Sequence, residues 1–223
     1  MKRMAVASTF VLGVILFCSC RKSKSSTSQT TDTPQPSAPV YASYSALKTG
    51  NYWVYGQTGV NGSSTIAAGT DSSYVSGDTL IGGFRYYKYF NGFLNSFTYL
   101  RDSLHYIMDS NGRKIFSSQD FTSYIDSGYT ILNNPPAAPD TMYRHYVMMN
   151  QSNPNITVPA GNFSVLDAQK IIHQYKGQVP SGIVDPKVSH AKYASHVGLV
   201  YDTYVFSTSN YYVERKLLRY HLN

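Results

Sequence analysis

Phe84-Arg85-Tyr86-Tyr87-Lys88-Tyr89-Phe90 stands between Gly82-Gly83 and Asn91-Gly92, a short aromatic run with turn residues at both ends. In an extended chain Phe84, Tyr86, Lys88 and Phe90 point one way and Arg85, Tyr87 and Tyr89 the other. The Asn-Gly dipeptide that follows is a strong short-range hairpin signal, so the next strand is expected from Phe93 to about Arg101. The same grammar recurs along the chain. Tyr52–Tyr55 follows Lys48-Thr49-Gly50-Asn51, and Asp109-Ser110-Asn111-Gly112 separates Leu104–Met108 from Lys114–Phe116. Thr141–Met149 reads as strand, Ile156–Tyr175 is broken by a turn at Pro159-Ala160-Gly161, and His196-Val197-Gly198 separates Ser189–Ser195 from Leu199–Phe206. Tyr211–Leu222 closes the series. Asp71–Val75 and Thr79–Ile81 flank Ser76-Gly77-Asp78, which reads as a tight turn. Gly56–Gly69 reads as a long hairpin loop or ragged edge strands, and Asp126–Asp140 as the longest irregular stretch.

About eleven or twelve short strands with turns every 8–12 residues predict an antiparallel all-β domain. A curled half-barrel, a closed barrel and a sandwich all satisfy this pattern. After Val40 the acidic residues are ten Asp against one Glu, Glu214, and Asp favours turns where Glu favours helices. Without a convincing amphipathic helix, βαβ architectures are excluded.

Ahead of this domain the chain is different in kind. Lys2 and Arg3 precede Met4–Phe17, an apolar core of 14 residues, whereas a helix crossing bilayer hydrocarbon needs roughly 20. This is the build of a signal peptide over residues 1–19. Phe17-Cys18-Ser19-Cys20 resembles the lipobox of bacterial lipoproteins, in which a small residue precedes the cysteine that becomes acylated. The resemblance implies lipid attachment, palmitate among the acyl groups, at Cys20, behind Ser19. It departs from the family pattern in having Phe17 and Cys18 where Leu and Ala or Ser are usual. Residues 20–39, through RKSKSSTSQTTDTPQPSAP, lack large apolar side chains and read as a disordered tether, its coil from Ser23 to Pro39 spanning roughly 20–25 Å. Residues 40–223 form one domain, long enough to build a core without staples. The expected location is the cell envelope, lipid-anchored to the outer membrane and facing the periplasm.

The formal charge of +7 misleads, because Lys2, Arg3, Arg21, Lys22 and Lys24 lie in the leader and tether. From Val40 onward there are 14 Lys+Arg against 11 Asp+Glu, with no basic run longer than two. Nucleic acid is therefore not an expected partner. Both cysteines, Cys18 and Cys20, belong to the leader, which leaves the domain no disulfide, thiol nucleophile or thiolate metal site.

LKTGNYWVY and DSSYVSGDTLIGGFRYYKYF resemble a pattern of Bacteroidota-type envelope lipoproteins. VPAGNFSVLDA and YASHVGLVYDTYVF resemble a signature near the end of assorted bacterial envelope β-proteins, with Asn162 where Thr is common and His196 where Gly or Pro is common. These resemblances imply an exported β-rich fold and bring no catalytic residues. Asp78-Thr79-Leu80, Asp102-Ser103-Leu104 and Asp140-Thr141-Met142 also resemble the acceptor of Bacteroidota O-glycosylation.

Chemistry is sparse. His105, His145, His173, His190, His196 and His221 form no tight ligand motif, and only His173, His190 and His196 have a conceivable route to one metal. No cofactor is expected. Asp167 and Asp202 are the least turn-like carboxylates and read as outward polar strand positions ahead of catalytic ones. No Gly-x-Ser-x-Gly or phosphate-cradling loop occurs. Trp53, Tyr55, Tyr87 and Tyr89, with Tyr86, Tyr211 and Tyr212, exceed the needs of one core. They are the candidate binding surface, set against a simpler role as cross-strand packing pairs. The function expected is non-catalytic binding or scaffolding, with a glycan, a peptide or an envelope protein as partner and the membrane reached through the N-terminal lipid. A half-barrel lipid carrier and a hydrolase assembled from distant Asp and His residues are the alternatives.

Overall fold

The computed structural model describes residues 39–132, 140–152, 154–175 and 181–223. The leader, Cys20 and the tether lie outside the described residues. Within them the chain is all-β, and no helix is long and apolar enough to cross a membrane.

The strands are β1 (Tyr52–Asn61), β2 (Ser64–Ile81), β3 (Phe84–Asn91), β4 (Ser96–Ser103), β5 (Tyr106–Asp109), β6 (Lys114–Ser117), β7 (Tyr124–Leu132), β8 (Asp140–Asn150), β9 (Asn155–Val158), β10 (Gly161–Gln174), β11 (Lys187–Ala194), β12 (Gly198–Val205) and β13 (Tyr212–His221). They make one antiparallel 13-stranded sheet in the order β6-β5-β4-β3-β2-β1-β13-β12-β11-β10-β8-β7, with β9 paired on β10. The path is a meander in which β1 joins β13, so the sheet's ends are β6 and β7. These two are consecutive in sequence and lie beside each other, giving a nearly closed barrel in place of a sandwich. No ladder joins β6 to β7. Side chains bridge the seam: the Ser117 N–H donates to the Met149 sulfur at 3.3 Å, and Arg113 meets Asp126 at 3.5 Å.

Three readings of the sequence change. Ser76-Gly77-Asp78 is no turn, because β2 runs through it with a register shift between Val75 and Gly77. A β-bulge and a turn draw on the same small polar residues, and only the partner strand distinguishes them. Gly56–Gly69 is a true hairpin, closing at Gly62 with φ 60°. Asp126–Leu132, read as irregular, continues β7. Phe93 belongs to the β3–β4 turn and leaves β4 to begin at Ser96.

One end of the barrel is sealed. Trp53, Tyr55, Val75, Val158, Val165, Ala194, Val200 and Leu217 form its core. Burying each of the larger ones contributes roughly 1.5–3 kcal/mol. Residues 43–47 cross this end, with Ser43 and Ser45 donating to Asp102 and the Ser43 carbonyl accepting from the His196 N–H at 2.8 Å. The β9–β10 hairpin reaches the same place, where the Ala160 N–H donates to the Leu217 carbonyl at 3.0 Å. The VPAG and HVGLV words thus meet at the seal. At Gly198 (φ 96°) a Cβ would lie 3.1 Å from the Ser45 carbonyl oxygen and 3.4 Å from the Trp53 ring. A second cluster, Ile107, Phe116, Ile125, Val147, Met149 and Ala168, packs behind the seam.

Candidate functional site

Inside the barrel lies a cavity of about 580 Å³, within the range of small-molecule sites. Trp53, Tyr55, Tyr89, Leu100, Ile107 and Tyr193 supply much of its apolar wall. The expected aromatic binding surface is therefore inside. Trp53 and Tyr55 are 2% and 0% exposed, and Tyr87 and Tyr89 pack against their cluster. Their polar tips are tied down, the Trp53 indole N–H donating to the Val197 carbonyl at 2.7 Å and the Tyr55 hydroxyl to that of Leu199 at 2.8 Å. Tyr86 faces the other way, and its hydroxyl accepts from Arg101 Nε at 3.1 Å.

An outer aromatic ladder exists, built from other residues. Register sets Tyr52 beside Tyr74, Tyr74 beside Phe90 and Phe90 beside Phe97. The Tyr74–Phe90 and Phe90–Phe97 centroids are 4.9 and 5.0 Å apart, and His221 stacks on Tyr52 at 5.6 Å. Only strand pairing across four strands reveals this row.

Arg215 is the charged centre of the interior and has no exposed surface. Alternation on β13 turns it inward with Val213 and Leu217. Its Nε and Nη2 donate to the two oxygens of Asp71 at 2.9 and 2.5 Å, and its Nη1 donates to both oxygens of Asp202 at 2.8 and 3.1 Å. The Tyr55 ring lies 4.1 Å from the guanidinium carbon, and Gln57 donates to Asp71 at 2.8 Å. Asp202 and Tyr204 reach the cavity surface. Burial outweighs the pairing with Arg215 and pushes the Asp202 carboxyl up to about 6. For Arg215 burial acts to lower its affinity for the proton, but Asp202 and Asp71 more than offset this and raise it. The β3–β4 turn folds in beside this group: Asn91 donates to the Tyr204 hydroxyl at 3.0 Å, and Phe93 stacks on the Tyr204 ring at 4.0 Å. Asp202 is thus inward, against the outward reading made from sequence.

The seam side carries Lys170, Arg113, Asp126 and, next to them, His145. Lys170 and Val147 are register partners on β10 and β8, and both line the cavity. Burial, then Arg113, lowers the Lys170 ammonium, and burial, then Lys170 and Arg113, lowers His145.

Asp167 occupies the alternate face of β10, opposite Lys192, where His190 Nδ1 lies 2.8 Å from its Oδ2. This resembles the orienting half of a hydrolytic triad. Among the described residues, however, no hydroxyl is hydrogen-bonded to His190 Nε2. The structure does not bring His173, His190 and His196 together, and among the described residues no group of three or more His, Cys, Asp or Glu side chains is arranged to hold a metal.

No protein-family model matches the chain, and no curated protein matches it. Two solved structures are similar in outline. One is a Bacteroides fragilis protein provisionally described as exported and of YmcC-like fold, 10% identical over 81% of this chain and 100% of that one, with a TM-score of 0.43. The other, a Parabacteroides distasonis protein provisionally described as a lipoprotein, is 14% identical over 82% of this chain and 100% of that one, with a TM-score of 0.40. At these scores neither likeness carries any of the argument that follows.

Proposed function

We propose that this chain is a lipid-anchored envelope protein whose barrel binds a small, largely apolar ligand without chemically altering it. The carrying observation is the interior cavity of about 580 Å³, aromatic in lining and ending against a sealed floor. Anchoring at Cys20 and a periplasmic, outer-membrane location rest on the leader and the lipobox-like Phe17-Cys18-Ser19-Cys20. Titrating the whole chain with 11-bromoundecanol tests the interior reading, because bromine quenches tryptophan at close range and Trp53 is the sole tryptophan. Saturable quenching is expected, and Ala168→Leu, which adds bulk to the cavity wall, should weaken it. Quenching that rises only linearly, as partition into lipid does, would overturn the reading. A second reading, glycan or peptide binding on the outer face, rests on the Tyr52–Tyr74–Phe90–Phe97 ladder. A ligand sensitive to Tyr74→Ala and indifferent to Ala168→Leu would select it.

A further inference from the structure

The cavity wall is not uniformly apolar, and its polar groups differ in how they are satisfied. On the β12–β13 side Arg215 is saturated by Asp71 and Asp202, so it offers little to a ligand. On the seam side the balance is different. Arg113 is shared between Asp126 at 3.5 Å and Asp109 at 3.9 Å, and is half-exposed at the cavity's edge. Among the described residues Lys170 Nζ has neither a carboxylate within 4.0 Å nor a hydrogen-bond acceptor, although the side chain is largely buried. His145, at 7% exposure, has no hydrogen-bond partner on either ring nitrogen among the described residues; its nearest approach to a carboxylate is 3.9 Å, to Asp126. Gly128 sits against this ring, where a Cβ would meet His145 Cε1 at 2.9 Å, so the imidazole has backbone on one side. Two cations and an unsatisfied imidazole thus share a single carboxylate, Asp126. A buried ammonium without an acceptor is costly, and an incoming anion removes that cost.

We infer that the cavity takes an amphiphile with one anionic head, a long-chain carboxylate in chemical class, its head held by Lys170 and Arg113 beside His145 and its tail directed to the Trp53 floor. This rests on the interior-binding reading and assigns the ligand's polarity and orientation. Lys170 and Leu166 lie four residues apart on one face of β10, roughly 13 Å at strand rise, and the wall between them is apolar at Ala168. Leu166 packs with Tyr193 in the seam cluster, towards the sealed end. A flexible chain that starts at Lys170 therefore runs down the barrel and ends near Trp53. Asp126 opposes the anion electrostatically, and Arg113, already its partner, screens it.

The test compares 11-bromoundecanoate with 11-bromoundecanol on the whole chain held in zwitterionic nanodiscs, read by Trp53 quenching. The acid should bind about tenfold or more tightly than the alcohol, the margin expected of a charge-assisted contact. Lys170→Met, which keeps the apolar stem, should abolish that preference while leaving the alcohol's affinity unchanged, and Lys170→Arg should retain it. Saturable binding of both compounds with equal affinity, unaffected by Lys170→Met, would overturn the anionic site and leave interior binding standing. If neither compound quenches saturably, interior binding itself fails, and this inference with it.

Discussion

Arg215 shows how one side chain dictates the behaviour of its surroundings. A fully buried guanidinium is tolerated because two carboxylates saturate four of its donor contacts and the Tyr55 face covers it. Removing it strands Asp71 and Asp202 in the interior. Arg215→Met should therefore destabilise the fold by about 3–5 kcal/mol, read as a lowered urea midpoint. Asp202 gives the pair a pH signature. Its native carboxyl is raised to about 6 by burial, so the folded chain holds a proton more tightly than the unfolded chain, where the ordinary value is 3.8. The stability this group contributes is complete below that ordinary value and is lost as the pH rises through about 6. Asp202→Asn should flatten the decline in stability between pH 4 and 6 in chemical denaturation. None of this pairing was readable from sequence: Asp71, Asp202 and Arg215 sit on three strands, and only the β2-β1-β13-β12 order brings them together.

At the scale of elements, turns that look alike in sequence do different jobs. Asn91-Gly92 announced a hairpin correctly, yet Gly92 is not one of the residues with positive φ. Its constraint is proximity, for a Cβ there would sit 2.3 Å from the Ser72 carbonyl oxygen. That closeness lets the β3–β4 turn fold inward and set Phe93 on Tyr204. Gly92→Ala must push the turn away from β2, at a cost of about 1–3 kcal/mol, comparable with overpacking a core. A lowered thermal midpoint with weakened Trp53 quenching by the bromo-alcohol is the expected outcome. Ser76-Gly77-Asp78 was misread for the converse reason. A bulge leaves the strand extended, and the partner strand that makes it a bulge is invisible locally.

For the molecule as a whole, the two ends of the sheet being consecutive in sequence explains why the barrel is almost, and not fully, closed. The chain travels from β6 to β7 without hydrogen-bonding them, and Arg113–Asp126 with Met149–Ser117 holds the gap. The basic wall of the cavity lies at this gap, which gives an anionic head a polar place at the barrel's side. Anchoring is separable from folding, because both cysteines precede the domain. Cys20→Ala should abolish metabolic labelling with palmitate, while the domain's urea midpoint stays unchanged. Persistent labelling would identify Cys18 as the acceptor or overturn the lipobox reading.

The sequence by itself determined the strand-forming character of the domain. Alternating aromatic and β-branched runs between Gly, Asn and Asp turns can satisfy their backbone groups and bury their bulk in few other ways. It also marked the leader, whose composition is its signal. Which face each strand presented was decided only by tertiary structure. A period of two names two faces and does not say which is inside. Trp53, Tyr55 and Asp202 went inward and Asp167 outward, according to pairings across strands far apart in the chain. The cavity, the saturated Arg215 and the unpaired Lys170 are properties of that closure.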